Sequence, residues 1–242
     1  METNVIYNED CLEGMKKLPD DSVDLVLTDP PYLMNYKTNR RKNKNHEFSQ
    51  TILNDDNPDL IKKYIKECYR ILKNDSAFYC FANSNKIDLF KQEIEKYFNL
   101  KNIIVWVKNN HTAGDLEAAY GKKYEFILYA NKGRSLIKGT RLTDVWEFDK
   151  VAGENLIHQN QKPLKLIKRI IKKSSNKNDI VFDGFIGSGT TAIASELLKR
   201  KFIGFELDEY EHKKAIKRLG KINKSYYDKL SEEEKPSQLQ MF

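Results

Sequence analysis

Four residues near the start of the chain, Asp29-Pro30-Pro31-Tyr32, place a carboxylate, two rigid prolines and a phenol ring at the end of an apolar run, Val23 to Leu27. An amino group on an aromatic ring is a poor nucleophile, because its lone pair is delocalised into the ring. A carboxylate and a backbone carbonyl that both accept hydrogen bonds from such an amine draw it towards tetrahedral geometry and free the pair for attack. Proline suits the carbonyl role, since its ring fixes the direction of the Pro30 oxygen. Tyr32 offers a flat face for stacking a base taken out of a helix. The carboxyl end of a strand is where α/β sheets place their sites. The same four residues are also ordinary punctuation for a strand-ending turn, and by themselves they fit both readings.

A second group runs Phe182-Asp183-Gly184-Phe185-Ile186-Gly187-Ser188-Gly189-Thr190-Thr191. It follows an apolar run and opens a helical pattern. Glycines let the backbone approach a ligand closely, and free amides at a helix start favour an anionic group. A glycine-rich turn alone also fits a nucleotide binder or a bare turn. The next apolar run, Phe202 to Phe205, ends at Glu206, where an acidic side chain can accept hydrogen bonds from both ribose hydroxyls. Glu206 stands near the roughly twenty-residue offset of dinucleotide folds, so the pair points to a nucleoside-containing cofactor.

These residues need a frame that brings strand ends together. Seven short apolar runs read as strands: Val5–Tyr7, Val23–Leu27, Ala77–Phe81, Ile103–Val107, Phe126–Tyr129, Ile180–Phe182 and Phe202–Phe205. Most are unbroken, as in strands covered on both faces. Helical stripes lie between them: Leu60, Ile61, Tyr64, Ile65, Cys68, Ile71 and Leu72; then Leu89, Phe90, Ile94 and Phe98; then Leu164, Ile167, Ile170 and Ile171. Two further stripes cover Ala192 to Leu198 and Ala215 to Leu219. Strands alternating with helices predict a doubly wound, largely parallel α/β sheet. The segments from Leu33 to Asn57 and from Lys132 to Gln161 show no regular pattern, and loops of that length are usually functional or mobile.

The 242 residues suffice for one large α/β domain, and the net charge of +7 suits a polyanionic partner. Cys11, Cys68 and Cys80 are scattered, which suggests neither a zinc site nor a disulfide framework and fits reduced thiols in a cytoplasmic protein. No His/Cys/Asp cluster has metal-ligand spacing. Neither a signal peptide nor a membrane span is visible, so no membrane partner is expected.

Together the motifs resemble the S-adenosylmethionine-dependent amino methyltransferases of DNA, specifically their β class. That class carries the Asp-Pro-Pro-Tyr segment first and the glycine-rich segment late, a circularly permuted order shared by Asp29 and Gly187 here. The resemblance covers nearly the whole chain. It extends to Asn8-Glu9-Asp10-Cys11, whose Asp approaches the cofactor's adenine in the family. His158-Gln159-Asn160-Gln161-Lys162-Pro163 resembles the family's His-Pro-Thr-Glu/Gln-Lys-Pro segment at the methionine end. Val105 to Lys108 and Glu125 to Tyr129 resemble strands of the target-base side. Gly184 departs from the usual Pro, and Gln159-Asn160 from the usual Pro-Thr.

The resemblance implies a seven-stranded Rossmann-like methyltransferase sheet, with residues 1–230 as one domain. Within it, 33–57 is a mobile DNA-side loop and 132–161 a short target-recognition segment; 231–242 is a tail. It implies methyl transfer from S-adenosylmethionine to N6 of adenine in double-stranded DNA, with base flipping. The catalytic set is Asp29, Pro30, Pro31 and Tyr32. The cofactor set is Asp10, Cys11, Asp29, Lys162, Asp183, Gly184, Phe185, Gly187, Ser188, Gly189, Thr190, Glu206 and Leu207. Apart from the resemblance, the cations Lys37, Arg40, Arg41 and Lys44 directly after the tetrapeptide fit a loop that closes on DNA phosphates, and equally a solvated mobile loop. Methylation of cytosine at N4 is the alternative, although that subgroup usually opens its tetrapeptide with Ser. Protein glutamine or RNA methyltransferases differ in motif order, and a catalytically inactive DNA-binding subunit fits poorly with an intact tetrapeptide. A homodimer is a further partner expectation. Gln238-Leu239-Gln240-Met241-Phe242 resembles peptides that dock into bacterial sliding clamps.

Overall fold

A computed structural model describes residues 1–33, 56–111, 117–151 and 161–233, with side chains described to residue 221. Eight strands form one sheet: β1 (Val5–Tyr7), β2 (Val23–Thr28), β3 (Leu72–Ala82), β4 (Asn99–Val107), β5 (Tyr124–Lys132), β6 (Val145–Glu147), β7 (Ile180–Asp183) and β8 (Lys201–Phe205). Their order is β1-β8-β7-β2-β3-β5-β4-β6. All pairings are parallel except those of β5, which runs antiparallel to both β3 and β4.

Successive residues of each central strand face opposite sides of the sheet, and each side has its own core. Val26, Phe78, Cys80 and Phe182 pack with α1 (Cys11–Met15), α2 (Pro58–Ile71) and α3 (Ile87–Glu95). Leu25, Leu27, Tyr79, Phe81 and Val181 pack with α4 (Leu164–Ser174). The stripe of α2 is buried from Leu60 to Ile71; its start is set by Asn57, which accepts from the Leu60 amide at 3.1 Å, and by Pro58 in the first turn. In α4 the isoleucines face the sheet and the lysines face out, as the spacing predicts. Helix α5 (Thr190–Leu197) follows β7, and α6 (Glu209–Glu233) follows β8.

Central β2 is flanked by β7 on one side and β3 on the other, so chain direction across the sheet reverses between β2 and β7. The register sets Val26 beside Phe182, which brings the carboxyl ends at Asp29 and Asp183 together. That crevice is the topological switch point at which doubly wound sheets bind ligands.

All seven expected strands are present, and an eighth joins them. Strand β6 lies inside 132–161, where no regular element was expected. Only Trp146 of its three residues is buried, and three residues are too few for alternation to mark a strand in sequence; pairing with β4 makes it one. Short α1 is set by Asp10, whose carboxylate accepts from the Leu12 and Glu13 amides at 2.9 and 3.2 Å. Helix α6 continues to Glu233, three residues into the segment read as a tail.

Candidate active site

Strand β2 ends at Thr28, and the two prolines turn the chain at the sheet's carboxyl edge. Pro30 and Pro31 are buried. The Pro30 carbonyl accepts no hydrogen bond among the described residues, which is unusual for a buried backbone acceptor. Leu33, directly after the tetrapeptide, has φ +57°, a conformation that costs a branched residue energy and that concentrates at functional sites.

The Asp29 carboxylate is held from two sides. Lys162 Nζ lies 2.6 Å from Oδ2, and the Tyr32 hydroxyl donates to Oδ1 at 2.6 Å. Lys162 also reaches the Tyr32 oxygen at 3.1 Å and Glu125 at 3.3 Å. Lys108 closes the set with a short hydrogen bond to Glu125. Two carboxylates and two ammonium groups thus neutralise one another in a partly buried network. Burial opposes the charge on Lys162, but Asp29 and Glu125 outweigh it and raise its pKa. Burial pushes the Glu125 carboxyl up, but Lys162 and Lys108 outweigh it and the pKa is lowered. For Lys108 burial prevails over Glu125 and the pKa is lowered. The Tyr32 phenol, buried and facing two carboxylates, is raised well above its usual range and stays neutral.

Beside Asp29 lies the glycine loop. Gly187 and Gly189 have φ +49° and +75°, positions that suit residues without a side chain. A Cβ on Gly187 would meet nothing nearer than the Phe185 oxygen at 4.0 Å, so this side of the loop is open to a ligand. A Cβ on Gly189 would stand 3.3 Å from Ala215 of α6. At Gly184 a Cβ would stand 2.4 Å from the Tyr64 ring, which explains glycine where the family usually has proline. The Tyr64 hydroxyl accepts from the Gly184 amide at 3.1 Å and shares a 2.8 Å hydrogen bond with Thr28, tying the loop to the end of β2.

Asp183 holds the loop from inside. It accepts from the Thr191 hydroxyl at 2.7 Å and the Phe185 amide at 3.1 Å. Burial outweighs these donors and pushes its carboxyl up to about 7. Arg218 of α6 donates to the Ser188 carbonyl at 2.8 Å, the Ser188 hydroxyl at 3.1 Å and the Thr190 hydroxyl at 2.9 Å.

The ends of β1 and β8 form the third part. Asn8 donates to the Glu206 and Leu207 carbonyls at 2.9 and 3.2 Å. Glu206 accepts from the Gly187 amide at 3.1 Å and the Asp208 amide at 2.9 Å, one on each oxygen, which leaves a lone pair on each for a diol. Asp10 uses Oδ1 for both helix-capping bonds, leaving Oδ2 for a ligand. Cys11 is buried, and burial pushes its thiol up to about 12, so it is a wall and not a nucleophile. Leu207 is exposed, and its carbonyl takes the Asn8 amide. Carboxylates at one end and open loop amides at the other match a ligand with a ribose and an anionic group.

The structure brings Asp10, Cys11, Asp29 to Tyr32, Lys162, Asp183 to Thr190, Glu206 and Leu207 to one edge of the sheet. Three side chains do something other than expected. Lys162 sits on the Asp29 carboxylate. Tyr32 spends its hydroxyl on Asp29, with its ring against the α4-side core and Lys162 5.5 Å above it. Asp183 spends its carboxyl on organising the loop. Glu125, Lys108, Tyr64 and Arg218 were missed as site residues, although Glu125 and Lys108 border two apolar strands on the side where charge is costly. Lys37, Arg40, Arg41, Lys44, His158 to Asn160 and Gln238 to Phe242 lie outside the described residues.

The sequence pattern of the DNA methylase family matches residues 23–136 and 134–217. The DNA adenine methyltransferase YhdJ of Escherichia coli K12 is 31% identical over 90% of this chain and 83% of its own length. The type II methyltransferase M.HinfI of Haemophilus influenzae is 29% identical over 98% of this chain and 75% of its own. The crystal structure of the M1.HpyAVI–SAM complex superposes with a TM-score of 0.69 at 29% identity, covering 88% of this chain and 98% of that one. The matched span takes in both strand ends that hold the carboxylates and the glycine loop, and the chain belongs to the DNA methylase family.

Proposed function

We propose that this DNA methylase transfers a methyl group from S-adenosylmethionine to N6 of adenine in double-stranded DNA. The observation that carries the reading is the pairing of Asp29 with the unspent Pro30 carbonyl at the switch point, beside the open side of the Gly187 loop. The donor set fits the cofactor: Glu206 for the ribose hydroxyls, Asp10 Oδ2 for the adenine amine and the loop amides for the amino-acid end. When bound, the cofactor supplies an electrophilic methyl on a cationic sulfur.

The chain's own residues do the rest. Asp29 and the Pro30 carbonyl accept the two hydrogens of the target amine and turn its lone pair towards the methyl. Lys162 fixes the Asp29 carboxylate through a charge-assisted contact, so its orientation is set before the base arrives. For Tyr32 to stack on a flipped base it turns away and releases Asp29, which exchanges one hydrogen bond for another. Positioning and preset electrostatics supply the acceleration. Lys162 is held in its charged form, so the proton released from the methylated amine leaves through the Asp29 carboxylate to water.

The 132–161 segment leaves β5 at the amino ends of the parallel strands and returns along β4 through β6, so the part beyond Glu147 is the part assigned to reading the target. Residues 33–57 are assigned to the DNA backbone, the Gln238–Phe242 peptide to a sliding clamp, and the whole to a homodimer acting on DNA in a bacterial cytoplasm.

Asp29→Ala abolishes transfer while S-adenosylmethionine binding stays measurable by calorimetry. Mass spectrometry of nucleosides from DNA treated with the wild-type protein shows N6-methyladenine; N4-methylcytosine alone would replace the adenine reading with its alternative. Unchanged turnover in Asp29→Ala overturns the site.

A further inference from the structure

Arg218 is a cation buried against the glycine loop. It is 8% exposed, and among the described residues no carboxylate pairs with it. Burial alone pushes its pKa down, to about 10. An uncompensated buried charge is costly, and its guanidinium is aimed at one feature, the Ser188–Thr190 turn.

That turn opens α5, whose first amides have no partner within the helix and carry the positive end of its dipole. Ser188 and Thr190 are buried, and their hydroxyl oxygens lie 3.2 Å apart. Both oxygens accept from the same Arg218 nitrogen, which orients their remaining hydrogens away from the guanidinium. Gly189 between them approaches α6 so closely that a side chain would press on Ala215. The Ser188–Thr190 turn, the helix start and Arg218 therefore form one unit in which Asp183 and Glu206 bond to neighbouring loop groups and, among the described residues, no carboxylate reaches the guanidinium.

Resting on the assignment of S-adenosylmethionine as cofactor, we infer that Arg218 is a positioning residue for the carboxylate of the cofactor's amino-acid portion, acting through the Ser188–Thr190 turn. The ligand's carboxylate supplies the negative charge that Arg218 lacks among the described residues. The charge-assisted hydrogen bonds set the turn and the unneutralised guanidinium adds attraction across it. No bond is made or broken in this role.

The test compares two ligands by calorimetry: S-adenosylhomocysteine, which carries the carboxylate, and 5′-methylthioadenosine, which lacks the amino-acid portion. Wild-type protein should bind the first more tightly. Arg218→Gln, neutral but able to hydrogen-bond, should weaken S-adenosylhomocysteine by about ten- to hundredfold while methylthioadenosine changes by less than about twofold. Arg218→Lys should recover part of the loss. Equal losses for both ligands, or none, overturn the role of Arg218 and leave the cofactor assignment standing. If Arg218→Gln does not fold, Arg218→Lys and wild type decide alone: equal wild-type affinity for the two ligands, or an Arg218→Lys defect of the same size for both, refutes the inference. A wild-type protein that binds neither ligand overturns the cofactor assignment itself.

Discussion

Asp183 offers the sharpest quantitative test, because its burial sets a penalty that pH can switch on. Its carboxyl is pushed up from 3.8 to about 7, and the folded state therefore keeps a proton that the unfolded chain has already lost between those values. Stability from this group is complete below pH 3.8, declines as pH rises, and has been lost once pH passes about 7. At about 1.4 kcal/mol per unit, the total is on the order of 4 kcal/mol. Asp183→Asn is the perturbation. Its amide is neutral at every pH, accepts from the Phe185 amide with its oxygen and meets the Thr191 hydroxyl with its nitrogen. Urea unfolding of wild type and variant at pH 5, 6, 7 and 8 should show the variant gaining about 3 kcal/mol on the wild type from pH 5 to 8, with unchanged denaturant slopes. For a chain of this size that corresponds to a melting shift of roughly 6–12 °C. Parallel stability profiles refute the reasoning, as does a variant that loses ground as pH rises.

Lys162→Met leaves Asp29 without its ammonium and Glu125 with Lys108 alone; denaturant unfolding should show a loss of about 3–5 kcal/mol. Turnover should fall far more than S-adenosylhomocysteine affinity, and equal falls would return Lys162 to the cofactor. Neutralising Arg40 and Arg41 together should weaken DNA binding and flatten its dependence on salt concentration, since each released phosphate contact lowers the slope by about one. Removing Gln238 to Phe242 should abolish pull-down by a bacterial sliding clamp; equal recovery dismisses the peptide.

The strands and the two chemical motifs were legible because each is written locally. Buried parallel strands such as Val23–Thr28 read as apolar runs, and the Asp29 and Gly187 segments punctuate them. Strand β6 was not legible, since a three-residue edge strand with one buried side chain is defined by its neighbour. The site's outer residues were hidden for a different reason. Tyr64 sits on a helical stripe that sequence reads as core, and it is core, yet its hydroxyl also joins Thr28 to Gly184. Arg218 sits in a lysine-rich helix where cations are normally solvated, and only the crossing of α6 over the glycine loop buries it. The resemblance puts Lys162 at the methionine end, whereas its Nζ meets Asp29, because spacing along the chain does not reveal which strand end a side chain reaches.

The pairing of β1 with β8 has a kinetic side. Val5 lies beside Ile203, so the edge of the sheet that carries Asp10 and Glu206 closes only after almost two hundred intervening residues are in place. Such distant contacts repay their loop-closure entropy late and slow folding. During synthesis β2, β3, β4 and β5 emerge and can pair first, while one flank of β2 waits for β7. The half that carries Asp29 and Glu125 thus takes shape before the half that carries the glycine loop and Glu206. A nascent chain exposes an unpaired, largely apolar strand edge in the interval, the kind of surface on which aggregation starts.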